Sequence, residues 1–310
     1  MLHFILIGIT CGGDMKTREL NEKEVQRIIL IYELISSNQK RVSVDEVQRF
    51  FPKLGLSSLL VSTPYFNSNF SIVDGYIIRN NNLDGSNNRI RAMINLKIAD
   101  NFSRYCKSNF IKVFAVSGST SYLSASWNDD IDIFCISKRD AMWLFIFKAL
   151  IYARIFRWIR KNYPPICISC VMDEVYALRS YTIPKDSLYA RDALATKVLI
   201  GKNNYATLLQ KSRWMERFFS REYNSKLKEL GIDELTNGKE TKIGLRFLNA
   251  LVYILLSRYI KLKSGILNRQ LAKKGMQSAI FEVKSGIDHL MYESAFYVTL
   301  KRFYLKKTGE

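Results

Sequence analysis

The segment Ile111 to Ser117, rich in β-branched and aromatic residues and ended by Gly118, restricts the fold more than any other part of the chain. A run of that kind fits a strand buried on both faces. After a short helical turn and a polar loop, Ile131 to Ser137 reads as a second strand with Asp130 at its mouth. Arg139 to about Asn162 reads as one long helix, stopped by Pro164-Pro165, and Ile166 to Met172 as a third strand. Strand, helical turn, strand, long helix and strand predict a compact α/β core with a mixed sheet.

The flanking segments predict two further units. Asn21 to about Ser36 has helical periodicity, Ser43 can cap a second helix with Glu46 as its capping-box partner, and a third helical turn begins near Ser57. Asn69 to Ile72 and Tyr76 to Arg79 read as strands of a hairpin turned at Asp74-Gly75. Three helices and a hairpin suggest a winged-helix module over residues 16–85, or else a small packing unit with no DNA role. Asn81 to Asn88 is the linker candidate, and a helix from about Ile90 to Lys107 leads into a domain over residues 86–175. Beyond Asp173 the pattern is almost wholly helical, at about 186–200, 205–223, 239–263 and 276–306, which makes residues 176–310 a helical C-terminal domain. The expected class is α+β: a winged-helix module, a small α/β core and a helical domain.

Charge narrows the partners. The 310 residues carry a formal net charge of +19, which favours a polyanion: nucleic acid, a nucleotide or an anionic membrane face. From residue 175 onward 25 Lys and Arg stand against 12 acids, and no acid lies between Glu240 and Glu282. That stretch can hold nucleic acid or acidic lipid heads, or can be a solvated face around a buried helix. Five cysteines are too few for a disulfide scaffold, and the Cys167–Cys170 spacing has no second ligand pair for zinc. With His3 and His289 the only histidines, a Ser-His-Asp or Cys-His mechanism is improbable, so any chemistry runs on carboxylates. Met1 to Gly12 is apolar without a basic start and too short to span a bilayer; Met15 is an alternative start, and the expected location is cytoplasmic. Ala141 to Ile159 and Leu245 to Leu262 are interrupted by Lys and Arg and read as buried helices rather than bilayer spans.

The chemistry-bearing segment is Val116-Ser117-Gly118-Ser119-Thr120-Ser121, followed after a loop by Asp129-Asp130-Ile131-Asp132-Ile133-Phe134. The glycine turn admits a phosphate close to the backbone. Asp130 and Asp132, two residues apart on a strand, project from one face while Ile131 and Ile133 point to the core. Paired carboxylates beside a phosphate imply a divalent cation, Mg²⁺ with Mn²⁺ as substitute. Taken singly, Gly118 fits a tight turn, Ser119 and Ser121 fit helix caps, and the two aspartates fit loop-end acids.

Gly118-Ser119, ten intervening residues and Asp130-Ile131-Asp132-Ile133 resemble the signature of the DNA polymerase β-like nucleotidyltransferase superfamily. The wider arrangement resembles an archaeal-type branch with a winged helix before the catalytic domain and helices after it. The resemblance implies that Gly118, Ser119 and Ser121 hold the triphosphate of an NTP and that Asp130 and Asp132 hold the metal. The implied activity is transfer of NMP to an acceptor, nucleic acid or protein. A third carboxylate is implied within a later strand, where this chain has Cys167 or Ser169; Asp173 or Glu174, just beyond, are the substitutes. Lys138 and Arg139 are candidate phosphate contacts, whereas Asp129 reads as a loop acid and Asp140 as a helix N-terminal acid. Trp143, Tyr205, Trp214, Phe218 and Phe219 read as core. The alternative is a winged-helix DNA-binding regulator whose transferase domain is degenerate and senses nucleotides.

Overall fold

The computed structural model describes residues 42–43, 70–73, 76–79, 88–123, 125–231, 243–295, 297–299 and 301–302. In the N-terminal part β1 (Val42–Ser43), β2 (Phe70–Val73) and β3 (Tyr76–Arg79) form an antiparallel sheet in the order β1-β3-β2. Val73 pairs with Tyr76, so Asp74-Gly75 is the two-residue connection the sequence predicts. The three helices expected before this hairpin, at 21–36, after Ser43 and near Ser57, lie outside the described residues.

The main body is built on a six-stranded sheet. Its elements follow in order: α1 (Asn88–Cys106), β4 (Ile111–Val116), α2 (Gly118–Ser121), β5 (Ile131–Ser137), α3 (Met142–Ile159) and β6 (Ile166–Asp173). Then come α4 (Glu174–Thr182), α5 (Ser187–Ala195), β7 (Lys197–Ile200), α6 (Lys202–Gln210), α7 (Ser220–Leu230), α8 (Ile243–Lys273), β8 (Phe281–Ser285) and β9 (His289–Ser294). The strand order is β7-β4-β5-β6-β9-β8. Only the β5–β6 pair is parallel, and α3 is the crossover it requires. The fold is therefore mixed α and β, as the sequence predicts.

Alternation along the strands divides the core into two. Phe114, Val116, Ile131, Ile133 and Val171 pack against α1, α3 and Ile260 of α8. Val113, Ala115, Phe134, Ile136 and Met172 pack against α4, α5, α6 and α7 on the other face. The central strands are thus covered on both faces, which is why Val113 to Val116 of β4 read as an unbroken apolar run rather than an alternating one. Trp143, Tyr205, Trp214 and Phe219 are buried in these cores, and Phe218 packs against them.

The expected boundary at residue 175 is corrected. Strands β7, β8 and β9 all come from beyond it and complete the same sheet, with β9 pairing along β6 and β7 along β4. Residues 281–285 alternate half-buried and exposed, a period of two that marks a strand edge and not the helix expected over 276–306. Likewise the helix expected to run to Ile200 stops at Ala195, and the β-branched run before Gly201 becomes β7.

Phe102 of α1 is fully buried, edge-on to Phe156 at 5.7 Å and tilted to Phe114 at 6.1 Å. Phe102→Ala removes a ring that close packing cannot refill, and a loss of about 3–5 kcal/mol is expected in urea denaturation.

Candidate active site

The turn from β4 into α2 sits directly against β5. Ser117 donates its backbone N–H to the Asp132 carbonyl at 2.9 Å, and Gly118 follows with φ at +62°. A side chain at Gly118 would place its Cβ 3.2 Å from Asp132 Cγ and nearer still to Oδ2. The position therefore requires glycine twice over: a left-handed residue with a Cβ costs about 1–2 kcal/mol, and the space is already filled by the carboxylate.

Asp132 lies between Ile131 and Ile133, both fully buried on the α1/α3 side, and so emerges from the opposite face. The parallel pairing sets Cys167 of β6 beside Asp132. Beyond that pair β6 gains one residue, because Phe134 lies opposite Cys170, and Ser169 donates its hydroxyl to the Ile133 carbonyl at 3.1 Å. One carboxylate oxygen each from Asp130 and Asp132 and the Cys167 sulfur all lie within 4.8 Å of one another. Asp130 is exposed; Asp132 and Cys167 are half-buried. Burial pushes the Cys167 thiol well above its ordinary range, and the charges of Asp132 and Asp130, with a hydrogen bond to Asp130, push the same way.

A polar framework steadies the loop that delivers Asp130. Asp129 accepts from Ser119 Oγ at 2.6 Å, from Ser126 Oγ at 2.6 Å and from Ser126 N at 3.1 Å. On α1, Arg91 is 7% exposed and lies 4.6 Å from the centre of the Trp127 ring. Burial lowers its pKa, which the charge of Asp129 opposes. Asn95 donates to Thr120 Oγ1 at 3.3 Å. Behind α2, Tyr122 donates to Asp192 and accepts from Arg191 Nε at 3.0 Å, and Tyr297 donates to Asp192 at 3.2 Å. These partners lie 69 to 105 residues apart in the chain, so no spacing in the sequence announces them.

Gly118, Ser119, Asp130 and Asp132 are thus brought to one end of the sheet, with Ser119 joined to the aspartates through Asp129. Ser121 is not presented there, since it is 2% exposed and its hydroxyl donates to the Gly118 carbonyl at 2.8 Å. Asp173 is a correction. It pairs with Ser137 at the far end of β5, five residues and roughly 16 Å from Asp132, and its carboxylate caps α4 by accepting from Tyr176 N at 2.7 Å. Glu174 lies at that end too, ion-paired to Lys112 and accepting from Arg139 N at 3.0 Å. Lys138 and Arg139 follow Ser137 there, away from the aspartates, and Asp140, with φ at +59°, faces Arg139 and Arg246.

Compared with family models, with curated proteins and with solved structures, the chain matches none. The donor chemistry is therefore the guide to what the site can hold. Two hard oxygens set this close fit one Mg²⁺ or Mn²⁺, which is bound through one or two carboxylates and substrate phosphates. Cys167, the third member of the group, offers a sulfur and suits that ion poorly. Among the described residues no helix is long and apolar enough to cross a membrane.

Asp173 makes a pH dependence. Its pKa is raised from 3.8, chiefly by burial, so the folded state holds the proton more tightly than the unfolded chain. The associated stability is present below 3.8 and is lost as pH rises through the folded value. Asp173→Asn keeps a cap for Tyr176 and removes the titration. Its urea stability is expected to fall less than that of the parent between about pH 4 and about pH 7.

Proposed function

We propose that this protein is a divalent-cation-dependent nucleotidyltransferase that moves NMP from an NTP to a hydroxyl acceptor. The observation that carries the reading is the convergence of Asp130 and Asp132 against the Gly118 turn. Two carboxylates this close repel unless a cation sits between them, and the absence of a Cβ at Gly118 lets the β4–α2 turn pack directly on the Asp132 carboxylate. Asp130 and Asp132 are the residues that would hold Mg²⁺ or Mn²⁺; when bound, the cation screens the charge that builds on the transferred phosphoryl group.

The chain's own part is positional. Gly118 and Ser119 seat the triphosphate, with the Ser119–Asp129 bond fixing the turn against the loop. Asp130 is the exposed member of the pair, which supports it as the acceptor of the hydroxyl proton as the acceptor oxygen attacks the α-phosphorus and pyrophosphate leaves. Arg91 and Trp127 flank the same loop and supply a cation and an aromatic face beside it. The net charge of +19 favours a polyanionic acceptor such as nucleic acid over a neutral one.

The thiol at Cys167 and the β1-β3-β2 hairpin sheet favour a second reading, a DNA-binding regulator that binds the nucleotide without turning it over. Turnover separates the two. With labelled NTP and candidate RNA or protein acceptors, Asp130→Asn and Asp132→Asn are each expected to lower label transfer by about 10²-fold or more. Transfer that survives in both variants removes Asp130 and Asp132 as the catalytic pair, and salt-sensitive DNA binding without transfer by the parent selects the regulator.

Cys167→Asp restores a third carboxylate. Without metal it is expected to be less stable than the parent because a third like charge joins the pair, and Mg²⁺ is expected to restore it. Titration calorimetry is expected to give roughly tenfold tighter Mg²⁺ binding than in the parent.

A further inference from the structure

The two long sides of α8 are unlike each other. One is fastened to the body: Asn249 accepts from Trp143 N at 2.8 Å, Tyr253 lies 5.1 Å from the Trp143 ring, Ile260 enters the core, and Asn268 donates to the Phe281 carbonyl at 2.6 Å. The opposite side carries Phe247, Leu251, Leu255, Leu262 and Ile266, of which Phe247, Leu262 and Leu255 are 75%, 68% and 66% exposed. At the helical repeat these side chains form one stripe, roughly 140° wide when Ile254 and Tyr259 at its margins are included. Arg258 and Arg269 fall within the stripe and Lys261 and Lys263 beside it, all exposed. The neighbouring α3 ends in the same composition, with Trp158 and Ile159 exposed among Arg154, Arg157 and Arg160.

We infer that this face docks the protein onto a bilayer surface rich in anionic lipids, α8 lying in the plane of the headgroups. Charge decides the occupant. The stretch between Glu240 and Glu282 contains cations and no acid, so a second copy laid on the same stripe brings like charge against like. Nucleic acid satisfies the arginines and lysines and leaves Phe247, Leu255 and Leu262 in water. An anionic bilayer answers both: acyl chains take the apolar stripe, and headgroups take the flanking cations. Since α8 is not apolar enough to cross, it lies on the surface. The inference is independent of the nucleotidyl reading, and its test does not use turnover.

The test is co-sedimentation of the full chain with phosphatidylcholine vesicles, alone or with ~30 mol% phosphatidylserine. Binding is expected to the anionic vesicles, at least about tenfold stronger than to neutral ones, and weakened by salt. Leu255→Asp with Leu262→Asp is expected to lower it by a further tenfold or more while circular dichroism is unchanged. In case that double variant fails to fold, a Phe247→Trp reporter is expected to be quenched by brominated anionic lipid. Absence of binding to anionic vesicles overturns the inference, as does an unquenched reporter. Binding that depends on charge alone and is matched by RNA overturns it in favour of a nucleic-acid face. A concentration-dependent dimer abolished by Leu255→Asp overturns it in favour of self-association.

Discussion

Two carboxylates two residues apart, one at the mouth of a strand and one within it, repel where the fold brings their oxygens together, as it does for Asp130 and Asp132. Here the sheet leaves them no alternative. Ile131 and Ile133 are locked into the α1/α3 core, so Asp132 is forced out of the opposite face, and the Ser117–Asp132 backbone bond holds the Gly118 turn against it. Burial of the isoleucines, at about 1.5–3 kcal/mol each, sets the direction of the aspartate side chains. The cost of bringing the charges together is therefore borne by apolar packing that lies elsewhere in the sheet.

The same sheet explains why the chain beyond residue 175 is not an appendage. Strand β5 is flanked by β4 and β6, and these are covered in turn by β7 and β9. The parallel β5–β6 pair lies at the centre, buried on both faces, while the outer positions go to antiparallel strands from the later part of the chain. Trp143 fastens this arrangement at one end of α3. Its backbone N–H reaches Asn249 of α8, and its indole N–H donates to the Gly286 carbonyl in the β8–β9 connection at 3.0 Å.

Much of the core was legible because its signals are local. The runs around Val113, Ile133 and Val171, the Pro164-Pro165 stop and the Asp74-Gly75 hairpin each depend on residues within one element or turn. What was not legible depends on pairing across the chain. The alternation of Phe281, Val283 and Ser285 is a strand signal only once β9 lies beside it, and a window rich in helix formers masks it. At the site, Gly118, Asp130 and Asp132 could be read from spacing and pleat. The neighbour of Asp132 could not, because it follows from the β5–β6 register, which sets Cys167 beside Asp132 and, past one extra residue in β6, Asp173 beside Ser137. Ser121 faces away from the aspartates for a local reason: its hydroxyl bonds back to the Gly118 carbonyl three residues earlier.

The order of β6 and β9 in the chain also governs how the protein is born. During synthesis β6 emerges long before β9, the strand that pairs with it, and until then its edge offers unpaired amides to any extended segment nearby. Central strands that paired before β9 emerged would leave that flank open, the condition under which a nascent chain aggregates.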